Sequence, residues 1–226
     1  MTNMGIVLPE PGYHERLREL TRASGTLLII DETHTFSAGP GGCTAAWGLE
    51  PDLLTIGKAI GSGIPSGALG LSADIGRSLL ADPDADYEDT GGVGGTLAGN
   101  ALSLAAARAT LEFVLTDEAF EGMIDRATRF VEGVNGALEQ AGLRWTVSQL
   151  GARAEYRYAD PPPRTGSESA AAADTELDDY LHAFLANRGV LITPFHNMAL
   201  MCPQTTDEDV DRHTEAFTEA VSALTG

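Results

Sequence analysis

The sequence predicts an α/β fold: part of a parallel-sheet domain, followed by a smaller α+β domain. Three observations lead there. Residues 26–31 form a Leu- and Ile-rich run that reads as a strand buried on both faces and ending in the ionisable Asp31. A second run, residues 52–56, ends just before Gly57 and Lys58. Beyond Leu115 the pattern shifts to short alternating segments set between helical stretches.

The elements follow in order. Pro11 opens a helical pattern that runs to Ser24, with Leu17 and Leu20 on one face, and Gly25 stops it. The two strands at 26–31 and 52–56 come next, then a third at 66–72 and a short helix at 73–80. Residues 82–88 are an acidic, solvated loop. Residues 98–115 are rich in Ala and Leu and predict a helix, and 118–141 predict another. A boundary near Leu115 gives domains of 1–115 and 116–226. In the second domain 144–150 and 153–158 alternate as strands. Residues 159–173, with three consecutive prolines, read as a surface loop. A helix at 176–187, a strand at 190–193 and a closing helix at 207–224 complete the chain. Thr206 is a good N-cap for that last helix, and Asp207, Glu208 and Asp209 suit its dipole.

Composition narrows the function classes. At 226 residues and a formal net charge of −19, the chain offers no basic patch for nucleic acid and no attraction to an anionic membrane. Cys43 and Cys202 are too few for a disulfide framework or a metal site, and read as free thiols in the reducing cytoplasm. The first residues lack the basic and apolar regions of a signal peptide, and no apolar run reaches the length of about 20 that spans a bilayer.

Lys58 is the only lysine; the other 13 of the 14 Lys and Arg side chains are arginine. Only lysine offers an amine that can lose its proton and condense with an aldehyde. Its setting, Thr55-Ile56-Gly57-Lys58-Ala59-Ile60-Gly61, is a glycine-flanked turn after an apolar run. Asp31 ends the neighbouring candidate strand, and ligands of open α/β sheets collect at the carboxyl ends of strands. Singly, Lys58 reads as a surface lysine and Asp31 as a cap or turn residue. Together they match the needs of pyridoxal phosphate: a lysine for the Schiff base and an acid beside the pyridine nitrogen.

Several segments taken in order carry a resemblance to a known family. They are Asp31-Glu32-Thr33-His34-Thr35, Gly39-Pro40-Gly41-Gly42, Gly48-Leu49-Glu50-Pro51-Asp52-Leu53, Gly57-Lys58-Ala59-Ile60-Gly61, Gly94-Gly95-Thr96-Leu97-Ala98-Gly99-Asn100, and Asn187 to Pro194. Together they resemble class III aminotransferases, in the branch containing glutamate-1-semialdehyde aminomutase. The resemblance implies part of a fold type I large domain, then an α+β small domain, with pyridoxal 5'-phosphate as cofactor. It assigns the Schiff-base lysine to Lys58, the pyridine partner to Asp31 and ring packing to Thr33, where many members carry valine. It assigns a phosphate contact across a homodimer to Thr96, which also reads as the N-cap of the next helix. Family members begin well upstream of Met1, with a phosphate cup and a ring-stacking aromatic. The expectation is therefore a piece of a longer enzyme.

The remaining candidates are weaker. Arg153 reads as a clamp for a substrate carboxylate or as a surface arginine. His34 and His196 read as substrate contacts or as satisfied polar groups. Residues 61–67 have the wrong spacing for a dinucleotide loop. The function expected is amino-group transfer between a small amino donor and a keto or aldehyde acceptor. An internal amino shift, or a half-protein without catalytic competence, are the alternatives.

Overall fold

The computed structural model describes residues 1–81 and 95–226. The expected acidic loop at 82–88 lies outside the described residues. The chain divides into two compact units: Met1–Pro11, Ser37–Gly39 and Asp117–Gly226 form one, and Gly12–Phe36 with Pro40–Thr116 form the other. The first eleven residues thus lie with the C-terminal unit, not with the N-terminal portion to which the sequence assigned them. The reason is local. The Ile6 N–H donates to the buried Glu155 carboxylate at 2.6 Å, and Ser169 Oγ donates to the Met4 carbonyl at 2.6 Å.

The lysine-bearing unit is built on α1 (Tyr13–Ser24), β1 (Ile29–Asp31), α2 (Gly42–Ala46), β2 (Leu53–Gly57), β3 (Gly67–Leu71), α3 (Ala73–Ala81) and α4 (Ala101–Phe113). Helix α1 stops where expected, at Gly25, whose left-handed φ of 66° suits glycine. The sheet order is β1-β2-β3, with β1 parallel to β2 and β3 antiparallel to β2. Asp52, just before β2, fixes this unit's geometry. Its carboxylate accepts both Nη atoms of Arg18 on α1, at 2.7 and 2.9 Å, and the Leu28 N–H at 2.7 Å. Those donors hold its pKa down to about 2.

One expectation fails here. The strand ending at Asp31 is not buried on both faces: Leu27 is 52 % exposed and Ile29 58 %. Leu69 and Leu71 on β3 are also exposed. A parallel strand is buried only when helices or neighbouring strands cover it. The described residues of this unit do not cover β1.

The other unit is well packed. It comprises α5 (Asp117–Ala141), β4 (Thr146–Leu150), β5 (Arg153–Arg157), α6 (Gly166–Ala171), α7 (Thr175–Ala186), β6 (Met198–Leu200) and α8 (Asp207–Thr225). Along α5 the buried residues are Phe120, Met123, Ala127, Phe130, Val134, Ala137 and Leu138, an apolar stripe of helical period. Phe130, Val134, Ala137 and Leu138 of that stripe form one core with Phe217, Ala220 and Val221 of α8, Leu181 and Leu185 of α7, and Ala154 and Tyr156 of the sheet. All three strands are antiparallel, in the order β4-β5-β6. Thr206 caps α8 in a full capping box with Asp209.

Two local expectations are corrected. Residues 190–193 form no strand. The free edge of β5 is taken instead by β6, with Arg153 opposite Leu200 and Glu155 opposite Met198. The region read as a plain loop contains α6, capped by Thr165, whose side chain accepts the Glu168 N–H.

Candidate active site

Strand register places the two key side chains. Asp31 is the last residue of β1 and pairs with Thr55 of β2, while Lys58 directly follows the end of β2. Both sit at the carboxyl ends of adjacent parallel strands, where α/β sheets open a crevice. Asp31 Oδ1 accepts the Thr33 N–H at 2.8 Å. Its pKa is held below the usual carboxylate value, first by the Thr33 side chain and then by the Thr33 N–H, the Thr55 side chain and the charge of Lys58. Asp31 is thus kept ionised beside a cation.

The backbone makes a sharp corner at Lys58. Gly57 is extended, and Lys58 opens a 3₁₀ turn (Lys58–Gly61) with φ of 48°. A left-handed residue with a Cβ costs roughly 1–2 kcal/mol, so the surroundings must hold it. Two bonds to α4 do so. Ser62 Oγ lies 2.8 Å from Thr110 Oγ1, and Ser103 Oγ donates to the Pro65 carbonyl at 2.7 Å. Gly61 is required within this turn, because a Cβ there would sit 2.7 Å from Ser66 Oγ. Thr33 reaches the same corner: a Cβ on Gly57 would lie 3.5 Å from its methyl carbon. Asp31, Thr33, Thr55 and Lys58 therefore share one neighbourhood.

Sequence reasoning quoted Glu32 only as part of a motif. Its side chain is fully buried. The carboxylate accepts the Thr35 hydroxyl, the Cys43 N–H at 3.2 Å and the Thr44 N–H. Nothing in the local pattern marks it, because two adjacent acids read as a solvated turn.

The other candidates belong to other segments, His34 apart. Thr96 is exposed in a turn after Gly95, and Gly94 lies outside the described residues. The cap of α4 is Asn100, whose side chain accepts the Ser103 N–H at 3.0 Å, so Thr96 is not that helix's cap. His34 follows Thr33 in the same loop and is half-buried. Arg153 opens β5 in the C-terminal unit and is buried. It donates to Ser37 Oγ and, at 3.8 Å, to Met198 Sδ, so it is no surface arginine. His196 lies in that same unit, with Nδ1 3.6 Å from the Glu155 carboxylate.

A lysine and an ionised aspartate thus stand at the ends of adjacent parallel strands, beside a threonine-bearing loop. Comparison with known proteins gives the family. Residues 1–221 match the class III aminotransferases, and the chain belongs to that family. It is 35 % identical over 222 residues to glutamate-1-semialdehyde 2,1-aminomutase 2 of Brevibacillus brevis, covering 97 % of this chain and 50 % of that protein. A crystal structure of a glutamate-1-semialdehyde-aminomutase from Pseudomonas aeruginosa, in complex with PMP, superposes with a TM-score of 0.93 at 45 % identity, covering 99 % of this chain and 50 % of that one. An omega-transaminase from Sphaerobacter thermophilus matches with a TM-score of 0.83 at 27 % identity, covering 99 % and 50 %. The chain spans about half the length of the curated relatives it matches.

Proposed function

We propose that this chain carries the lysine-bearing half of a pyridoxal-phosphate-dependent transaminase. The observation that carries the reading is Lys58 itself. The single lysine of the chain stands at a strained strand end, where its charge helps keep Asp31 ionised. Bound pyridoxal phosphate supplies an aldehyde carbon for an amine and a protonated ring that draws electrons from the reacting carbon. The residues present fit it. Lys58 Nζ would hold the cofactor and would move the proton at the substrate Cα. The Asp31 carboxylate would accept the ring N–H and so keep that nitrogen protonated, and Thr33 would pack on the ring. Thr96 would contact the phosphate from the partner copy of a homodimer. His34 is a further substrate contact. A carboxylate-binding role for Arg153 requires its bond to Ser37 to open. The cytoplasm, with its pool of small amino and keto acids, is the compartment proposed for it.

A second reading, an aminomutase that moves an amino group within one substrate, is favoured by one observation. The relatives named aminomutase are 35 % and 45 % identical to this chain, against 27 % for the omega-transaminase. The test is turnover with and without an added keto acid, in the chain completed by the first half of a relative. A transaminase stops without the acceptor, whereas an aminomutase does not. No turnover under either condition would count against both.

A further inference from the structure

We propose that Glu32 is a positioning residue for Asp31. Its buried carboxylate brackets the loop between β1 and α2, and so sets the hydrogen bonds that Asp31 receives. The inference rests on the reading of Asp31 as the acid of the cofactor site, and deepens it.

The loop makes an excursion. Ser37–Gly39 belongs to the C-terminal unit, whereas the residues on either side belong to the lysine-bearing one. The Glu32 side chain grips both limbs of that excursion: the Thr35 hydroxyl on the outgoing limb, and the Cys43 and Thr44 N–H groups on the returning limb. Its backbone is equally committed. The Glu32 N–H donates to the Thr55 carbonyl at 2.8 Å, prolonging the β1–β2 ladder, and its carbonyl accepts the Phe36 N–H at 2.8 Å. The turn so closed contains Thr33, which gives Asp31 its two leading hydrogen bonds. A carboxylate suits the position because it is acceptor-only, and each group it meets is a donor. The space is shaped to it as well. Gly42 has φ of 66°, and a Cβ there would fall 2.8 Å from Glu32 Oε2. Glutamine keeps the volume but turns an NH₂ toward an N–H, leaving buried donors unpaired.

The test uses the chain completed by the first half of a class III relative and kept free of cofactor, so it does not depend on the catalytic reading. NMR of carboxyl-labelled aspartate follows the titration of Asp31, with Asp52 as internal control. Asp52 draws its bonds from Arg18 and Leu28 and none from Glu32. In Glu32→Gln the Asp31 midpoint moves up toward the ordinary carboxylate value while Asp52 stays low. An Asp31 midpoint unchanged from wild type overturns the proposal. If Glu32→Gln moves Asp52 too, the unit as a whole has loosened, and Thr35→Val decides. That variant removes one donor from the bracket and should still raise Asp31 alone; an unmoved Asp31 there also overturns the proposal. Failure of the catalytic reading would appear separately, as an Asp31→Asn enzyme with normal turnover.

Discussion

At Asp31, hydrogen bonds outweigh the nearby charge. Thr33 and Thr55 donate directly to its carboxylate, and the Lys58 charge contributes least among the causes that lower its pKa. Substituting Lys58 would therefore leave Asp31 largely ionised. In the completed enzyme, Asp31→Asn should retain cofactor but slow substrate Cα proton transfer by about 10²-fold or more, measured as turnover at saturating cofactor. Near-normal turnover would remove Asp31 from the mechanism. The Asp31–Lys58 pair was legible in the sequence because its chemistry is rare: one lysine, and one acid at the end of an apolar run. Glu32 was not legible, because its meaning lies in burial and in partners up to twelve residues away. Thr96 was half legible. The turn is where it was expected, but the cap falls on Asn100.

At the scale of elements, helices were read well because their apolar stripes repeat over many turns, as along α5. Short strands were harder. Val190, Leu191 and Ile192 have strand composition, yet Leu191 is 88 % exposed and the ladder goes to Met198–Leu200. A three-residue strand shows no period, and only the partner edge selects it. The joint between α1 and β2 gives a prediction. The pKa of Asp52 is depressed to about 2, so the stability it contributes is present above the ordinary carboxylate value of about 4 and lost as pH falls through about 2. Thermal melts of Asp52→Asn from pH 7 to pH 2 should show a lower midpoint at neutral pH and a smaller acid loss than wild type. A parallel curve would show that the Arg18 bond contributes nothing to folding.

His213 on α8 gives the converse case. Its ring is buried against Phe130 and Phe217, and desolvation pushes its pKa down to about 4. The folded state therefore binds fewer protons than the unfolded chain. Stability is complete above about pH 6.5 and declines as pH falls to about 4, by on the order of 3 kcal/mol. Neither ring nitrogen has a hydrogen-bond partner among the described residues, so His213→Leu sacrifices no such bond there. The variant should flatten the pH dependence of unfolding between 6.5 and 4, followed by urea denaturation. An unchanged slope would mean that the imidazole is hydrated in the folded state.

Across the whole molecule, the two units differ in how completely they are covered. The C-terminal unit closes a continuous core around Phe130, Tyr156 and Phe217. In the lysine-bearing unit, Ile29, Leu69, Leu102 and Phe113 remain exposed, and neither α1 nor α3 buries a residue. Apolar strands and helices left open are surfaces awaiting a partner. The matched relatives are twice as long, which supports the proposal that the partner is the first half of the cofactor domain. The 226-residue chain alone should then fail to transfer amino groups to pyruvate or 2-oxoglutarate, and should aggregate. Co-expression with the first half of a class III relative should restore solubility and cofactor colour together. A soluble, yellow, active chain on its own would refute this.

The role proposed for Lys58 is to hold the cofactor and move the proton. It is tested most directly by reducing the completed enzyme with borohydride, mapping the pyridoxyl label by mass spectrometry, and assaying Lys58→Ala beside the wild type. The label should fall on Lys58, and Lys58→Ala should lose both the label on this chain and amino transfer. A label on this chain elsewhere than Lys58, or amino transfer that survives Lys58→Ala, would contradict the account.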